Sequence, residues 1–165
     1  MKRLALLALM MPLLLAAAPR PDDRTAVNRK LAAIYRPYTI EALQPAVWDR
    51  PLFTLPVRRL IARWKQVMPE GEVDGLNDGD WLCLCQDWDP KKFTAVPRGH
   101  RQLPGGVVEV TMAVDLGNGQ QRSARFLFRR EGADWRIDNL FASDFPRGLQ
   151  QALRETIAVD EKLPR

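Results

Sequence analysis

The sequence predicts a single α+β domain, with helices first, consecutive antiparallel strands next and a closing helix. Three observations carry that expectation. Apolar residues recur at helical spacing in two segments before residue 70, they alternate in consecutive segments between residues 92 and 141, and a last helical stripe follows Pro146.

At the start of the chain, Lys2 and Arg3 precede an apolar run from Leu4 to Leu15 that only Pro12 interrupts, and Ala16, Ala17 and Ala18 follow. A charged start, an apolar run and small residues make residues 1–18 a cleavable secretory signal, with the cut expected after Ala16 or Ala17 because Pro19 spoils a junction after Ala18. Pro19 to Asp23 are expected not to continue a helix. The run falls short of the ~20 apolar residues that a spanning helix needs. The expectation is therefore a periplasmic or secreted protein, with residues 19–165 as one domain and no stable membrane anchor once the signal is removed. The net charge of +5 drops to about +3 when Lys2 and Arg3 leave. The remaining basic residues are spread along the chain, as at Arg58, Arg63, Arg98, Arg129 and Arg154, which excludes the clustered stripe of a nucleic-acid binder.

Val27, Leu31, Ile34 and Tyr35 predict a helix over residues 25–36, ended by Pro37. Leu60, Ile61, Trp64 and Val67, opposite Arg58, Arg59, Arg63 and Lys65, predict a second over 53–67, stopped by Pro69 and Gly71. A first strand is expected over 92–97, with a polar turn over 97–106. Val108, Val110, Met112 and Val114 then alternate with Glu109, Thr111 and Asp115, and Gly117-Asn118-Gly119 makes a hairpin turn. A third strand sets Ala124, Phe126 and Phe128 against Arg125, Leu127 and Arg129. In the fourth, Trp135, Ile137, Asn139 and Phe141 are expected on one face, with Arg136, Asp138 and Leu140 on the other. A helix is expected over 146–158.

The least generic segment runs from 74 to 89, rich in Gly, Asp and Trp, and it holds the only cysteines, Cys83 and Cys85. If residues 81–86 are extended, strand rise sets the two Cα atoms ~6.5 Å apart, at the outer limit for a disulfide, so a bridge needs a local bend. A structural bridge, two quiet thiols and a redox pair all remain open. Nothing in the pattern marks an activated thiol, since there is no Cys-x-x-Cys and no helix start beside it. His100 is the sole histidine and is placed in the polar turn, so no metal site and no cofactor is expected. Ser123 and Ser143 lack a glycine elbow, and the paired glycines sit in hairpin turns, which leaves no nucleophile constellation and no phosphate loop.

The fragment Ile34-Tyr35-Arg36-Pro37-Tyr38, the Gln86-Asp87-Trp88 element after an Asp-rich loop, and the ending Asp134-Trp135-Arg136-Ile137-Asp138-Asn139 together carry a resemblance. They resemble the bacterial family called domain of unknown function 3828, mostly exported envelope proteins related to the nuclear transport factor 2-like cone fold. The likeness spans residues 25–157. Asp78 or Asp80 fills the acidic place that the family shows before Gln-Asp, whereas the paired cysteines are a local feature. The resemblance implies a cone-like roll, in which N-terminal helices pack on a curved sheet of about four strands. It also implies a ligand-holding mouth, near which Asp80, Gln86, Asp87, Trp88 and Asp138 are the candidate binding residues. Against a ligand role stands a plainer one, in which these side chains tie the loop to backbone amides or sit on a solvated strand face.

Two functions are consistent with these residues. The first is a noncatalytic exported binding or accessory protein that docks on an envelope partner through its sheet face or the Asp-Trp loop. The second is a small-molecule binder, or a hydrolase- or isomerase-like enzyme, that uses the cone pocket with Asp87 or Asp138 as acid or base. The apolar alternation of the sheet would also serve a homodimer.

Overall fold

A computed structural model describes residues 21–40, 44–69 and 71–162. The signal peptide expected over 1–18 lies outside the described residues. Among the described residues, no helix is long and apolar enough to cross a membrane.

The elements follow the expected order: α1 (Pro21–Tyr35), α2 (Leu55–Val67), β1 (Thr94–Leu103), β2 (Val107–Asp115), β3 (Gln121–Glu131), β4 (Asp134–Phe141) and α3 (Leu149–Asp160). The strands form one open antiparallel sheet in the order β1-β2-β3-β4, so the protein has an α+β fold. Alternation puts Val108, Val110, Met112 and Val114 of β2 and Ala124, Phe126 and Phe128 of β3 on one buried face. Against that face lie Val27, Leu31 and Ile34 of α1, Val57, Ile61 and Trp64 of α2, and Leu149, Leu153 and Ile157 of α3, in one continuous core.

Aromatic rings fill the layer between helices and sheet. Tyr38 stacks on Phe93 at 5.2 Å and Tyr35 meets Phe126 edge-on at 6.4 Å. On the α2 side, Trp81 packs against Trp64, Phe53 and Phe145. The space between helices and sheet is therefore occupied by side chains.

Several boundaries differ from the sequence reading. α1 begins at Pro21, ahead of the expected residue 25, because proline's fixed φ suits a first helical position. β1 runs on to Leu103 through the residues expected to turn. Pro97 is accommodated because β1 is an edge strand with a register shift between Pro97 and Gly99, so a missing amide hydrogen costs no ladder bond. His100 is consequently a half-buried strand residue whose Nε2 lies 2.7 Å from Asn28 Oδ1 of α1. Burial, and then the Arg24 charge, lower its pKa.

The fourth strand carries the largest correction. Leu127 pairs with Asn139 while its neighbour Phe128 pairs with Ile137, leaving Asp138 as an extra residue in a bulge. Alternation reverses there, and Leu140 joins Trp135 and Ile137 in the core in place of Asn139 and Phe141. Asp138 then accepts a hydrogen bond from Thr54 Oγ1 at 2.9 Å and pairs with Arg129 at 3.4 Å. Asn139 Oδ1 accepts from the Gln150 amide at 3.1 Å, within the first turn of α3. That contact requires Gly148, whose φ is +93° and whose absent Cβ would lie 2.7 Å from Asn139 Nδ2. α3 accordingly starts at Leu149, later than expected.

The far edge of β4 is covered by the chain entering α2: the Thr54 amide donates to Ile137 O and the Ile137 amide to Leu52 O, each at 2.9 Å. On the outer sheet face, Glu109 lies between Arg101 and Arg125 at 2.9 and 2.8 Å. Burial alone would raise its pKa; the hydrogen bond from Arg125 and the charge of Arg101 outweigh that and lower it.

Candidate functional site

Segment 74–89 has almost no regular structure, so its backbone must find partners elsewhere. Aspartates supply them. Asp74 Oδ1 accepts from the Leu76 and Asn77 amides at 2.6 and 2.9 Å, and its Oδ2 accepts from the Trp64 indole at 2.7 Å, tying the loop to α2. Asp80 Oδ1 accepts from the Leu82 and Cys83 amides at 2.8 and 3.2 Å, which folds residues 80–83 into a tight turn. Its Oδ2 accepts from Tyr38 Oη at 2.7 Å. Arg50 completes this group, donating to Tyr38 Oη at 3.3 Å and to Ile34 O at 2.9 Å.

Each surrounding element adds a tie. Tyr35 Oη donates to Leu82 O at 2.9 Å, Trp81 Nε1 to Leu76 O at 2.6 Å, Trp88 Nε1 to Tyr38 O at 2.9 Å, and Arg122 Nε to Leu84 O at 3.3 Å. Burial, and then the nearby Asp80 carboxylate, push the phenols of Tyr35 and Tyr38 far above the usual tyrosine range. Both stay protonated and act as donors to the loop.

Cys83 and Cys85 form a disulfide with their Cα atoms 5.2 Å apart. The segment is bent, as a bridge between these two residues requires. The Asp80 amide donates to Cys85 O at 2.9 Å and the Leu84 amide to Asp80 O at 2.8 Å, and Leu84 takes φ +56°. It is the one non-glycine residue with positive φ among the described residues. A bridge closing so short a loop restrains the unfolded chain by only about 1.5 kcal/mol. A leucine in the left-handed region costs about 1–2 kcal/mol. The two nearly cancel, so the bridge does little for fold stability.

Two clefts flank this loop. The larger, about 530 Å³, is lined among others by Asp78, Gln86, Asp87, Gln120, Arg122 and Asp144. The smaller, about 250 Å³, is lined by Val47, Trp48, Asn77, Asp80, Trp88 and neighbours. Asp78, Gly79, Cys85 and Gln86 belong to both and form the ridge between them. Gln86 Nε2 donates to Asp78 O at 2.8 Å across that ridge, and a Cβ at Gly79 would lie 3.2 Å from Cys85 O.

The structure thus brings together Asp80, Gln86, Asp87 and Trp88, and leaves Asp138 outside both clefts. Asp80 and Trp88 are bound up in holding the loop, while Gln86 and Asp87 are exposed. Trp81 of the same segment is a core residue at 2% exposure. Sequence reasoning missed Trp48, Gln120, Arg122 and Asp144, because these come from segments far along the chain and carry no local motif. Arg122, whose Nε donates to Leu84 O, sets one positive charge against the carboxylates of Asp78, Asp87 and Asp144, so the lining of the larger cleft is acidic on balance. Among the described residues, no group of three or more His, Cys, Asp or Glu side chains could hold a metal ion. No family model, no curated protein and no solved structure matches the chain.

Proposed function

We propose that this chain is an exported, noncatalytic binding protein that presents the braced 74–89 loop and the larger cleft to a partner in the cell envelope. The observation that carries this reading is a contrast at the loop: Asp80 and Trp88 are consumed in bracing it, while Asp78, Gln86 and Asp87 of the loop and Asp144 from beyond β4 stand exposed around a cleft of about 530 Å³. Rigid backbone with exposed polar groups is the arrangement that loses least entropy on binding. The carboxylates favour a partner segment that is basic and rich in hydrogen-bond donors.

Export is supported by the charged and apolar start of the chain and by the disulfide, which persists in oxidising compartments. The affinity to the domain of unknown function 3828 family, whose members are mostly exported, agrees with this and rests on the quoted fragments.

The test is crosslinked capture from the cell envelope with the mature protein and with an Asp78→Asn, Asp87→Asn, Asp144→Asn variant. All three side chains are exposed, so the variant keeps its fold. The reading expects one stoichiometric protein, with recovery reduced at least tenfold by the variant. Undiminished recovery, or no retained protein, contradicts it.

The volume of the cleft also lies in the range of small-molecule sites, which favours a polar small ligand as the second reading. That reading expects a protein-free envelope extract to raise the melting temperature of the parent chain and not that of the variant.

A further inference from the structure

We propose that the Cys83–Cys85 bridge is a reversible redox site that exchanges disulfides with an external dithiol through Cys85. It rests on observations independent of the binding reading. The two sulfurs differ in access, since Cys83 has no exposed surface while Cys85 lines both clefts. They also differ in how firmly they are held. Asp80 Oδ1 anchors the Cys83 amide by a hydrogen bond in which neither sulfur takes part. Cys85 is brought back to Cys83 by the left-handed turn at Leu84, which the Asp80 amide closes by donating to Cys85 O. That conformation is unfavourable for leucine, so opening the bridge lets Leu84 return to ordinary geometry. A bond that scarcely restrains the unfolded chain and holds one residue in an unfavourable conformation is poised for exchange.

A thiolate of the external dithiol attacks Cys85 Sγ, and the Cys83–Cys85 bond breaks with its electron pair on Cys83 Sγ, which takes up a proton. The Cys83 thiol then has an acceptor at Asp80 O, 3.8 Å away in the bridged form. The second thiolate of the dithiol attacks its own sulfur in the mixed disulfide and releases Cys85 as thiolate. Two electrons have passed to the protein and the dithiol leaves as a disulfide. An external disulfide reverses each step.

Dithiothreitol and oxidised glutathione are the probes. In the folded mature protein, dithiothreitol should open the bridge in proportion to its concentration, at least a hundredfold faster than the protein unfolds. Opening only at the unfolding rate would overturn the proposal. With oxidised glutathione, the Cys83→Ala variant should form a mixed disulfide at Cys85 at least tenfold faster than the Cys85→Ala variant forms one at Cys83; equal or reversed rates would contradict the assignment. Leu84→Gly supplies a measurement with both cysteines in place. Relief of the left-handed leucine should make the bridge about fivefold harder to reduce at equilibrium, and an unchanged constant would remove the basis for its lability.

Discussion

The interior and the 74–89 loop are both ordered, but different forces order them. Between sheet and helices, Phe126, Phe128, Ile137 and Trp64 are fully buried and contribute through area and close packing. In the loop, Leu76, Trp81 and Leu82 are buried as well, and directed bonds are added: Asp74 and Asp80 each receive two backbone amides and one donor from an aromatic side chain. Packing tolerates rearrangement and fails gradually. A polar network fails when one member is removed, because its donors are left without acceptors.

The largest expected effect belongs to the interior. Phe126→Ala should lower the unfolding free energy by about 4 kcal/mol in a denaturant titration, the usual cost of an emptied aromatic site. In the loop, Asp80→Ala should cost about 3 kcal/mol by the same measurement, since the Leu82 and Cys83 amides and the Tyr38 hydroxyl lose their acceptor together. A cost below about 1 kcal/mol would show that burial, and not Asp80, holds the loop, and would erase the contrast.

Alkali should sharpen it. The phenols of Tyr35 and Tyr38 have pKa values raised in the folded chain, so their contribution is fully present below about pH 10, where unfolded tyrosine ionises, and is lost as pH rises above it. Stability measured from pH 9 to 11 should fall, and Tyr38→Phe should make the fall shallower. A parallel decline in both proteins would contradict the account.

The smallest effect is expected at the disulfide. Reduction of the folded protein should change its stability by less than about 1 kcal/mol, because the entropic gain of a short bridge and the cost of left-handed Leu84 nearly cancel. A loss of several kcal/mol would mean that the bridge, and not the aspartates, braces the loop.

The same division explains what could be read from the sequence. Alternation at Val108, Val110 and Met112 and the stripe Ile61, Trp64 and Val67 are consequences of burial, which imposes a period on the chain, and so the helices and strands were legible. Asp138 broke the reading because a bulge inserts a residue without changing its type, and the reversal that buries Leu140 leaves no mark in composition. The loop was recognisable as unusual from its Asp, Gly and Trp content, yet its partners Tyr35, Tyr38, Arg50 and Arg122 lie far along the chain and follow no period. For the same reason Gln86 and Asp87 could be named for the cleft from their own segment, whereas Asp144 and Trp48 could not.

The Asp80 carboxylate folds the turn that carries the site. Amide hydrogen exchange of Leu82 and Cys83, in the disulfide-bonded and the reduced protein, tests it most directly. The account predicts that both amides stay protected in both states, because Asp80 Oδ1 accepts from them irrespective of the bridge, while the Asp80 amide loses protection on reduction as Cys85 moves away. Loss of protection at Leu82 and Cys83 on reduction would contradict it and make the disulfide the organising element of the loop.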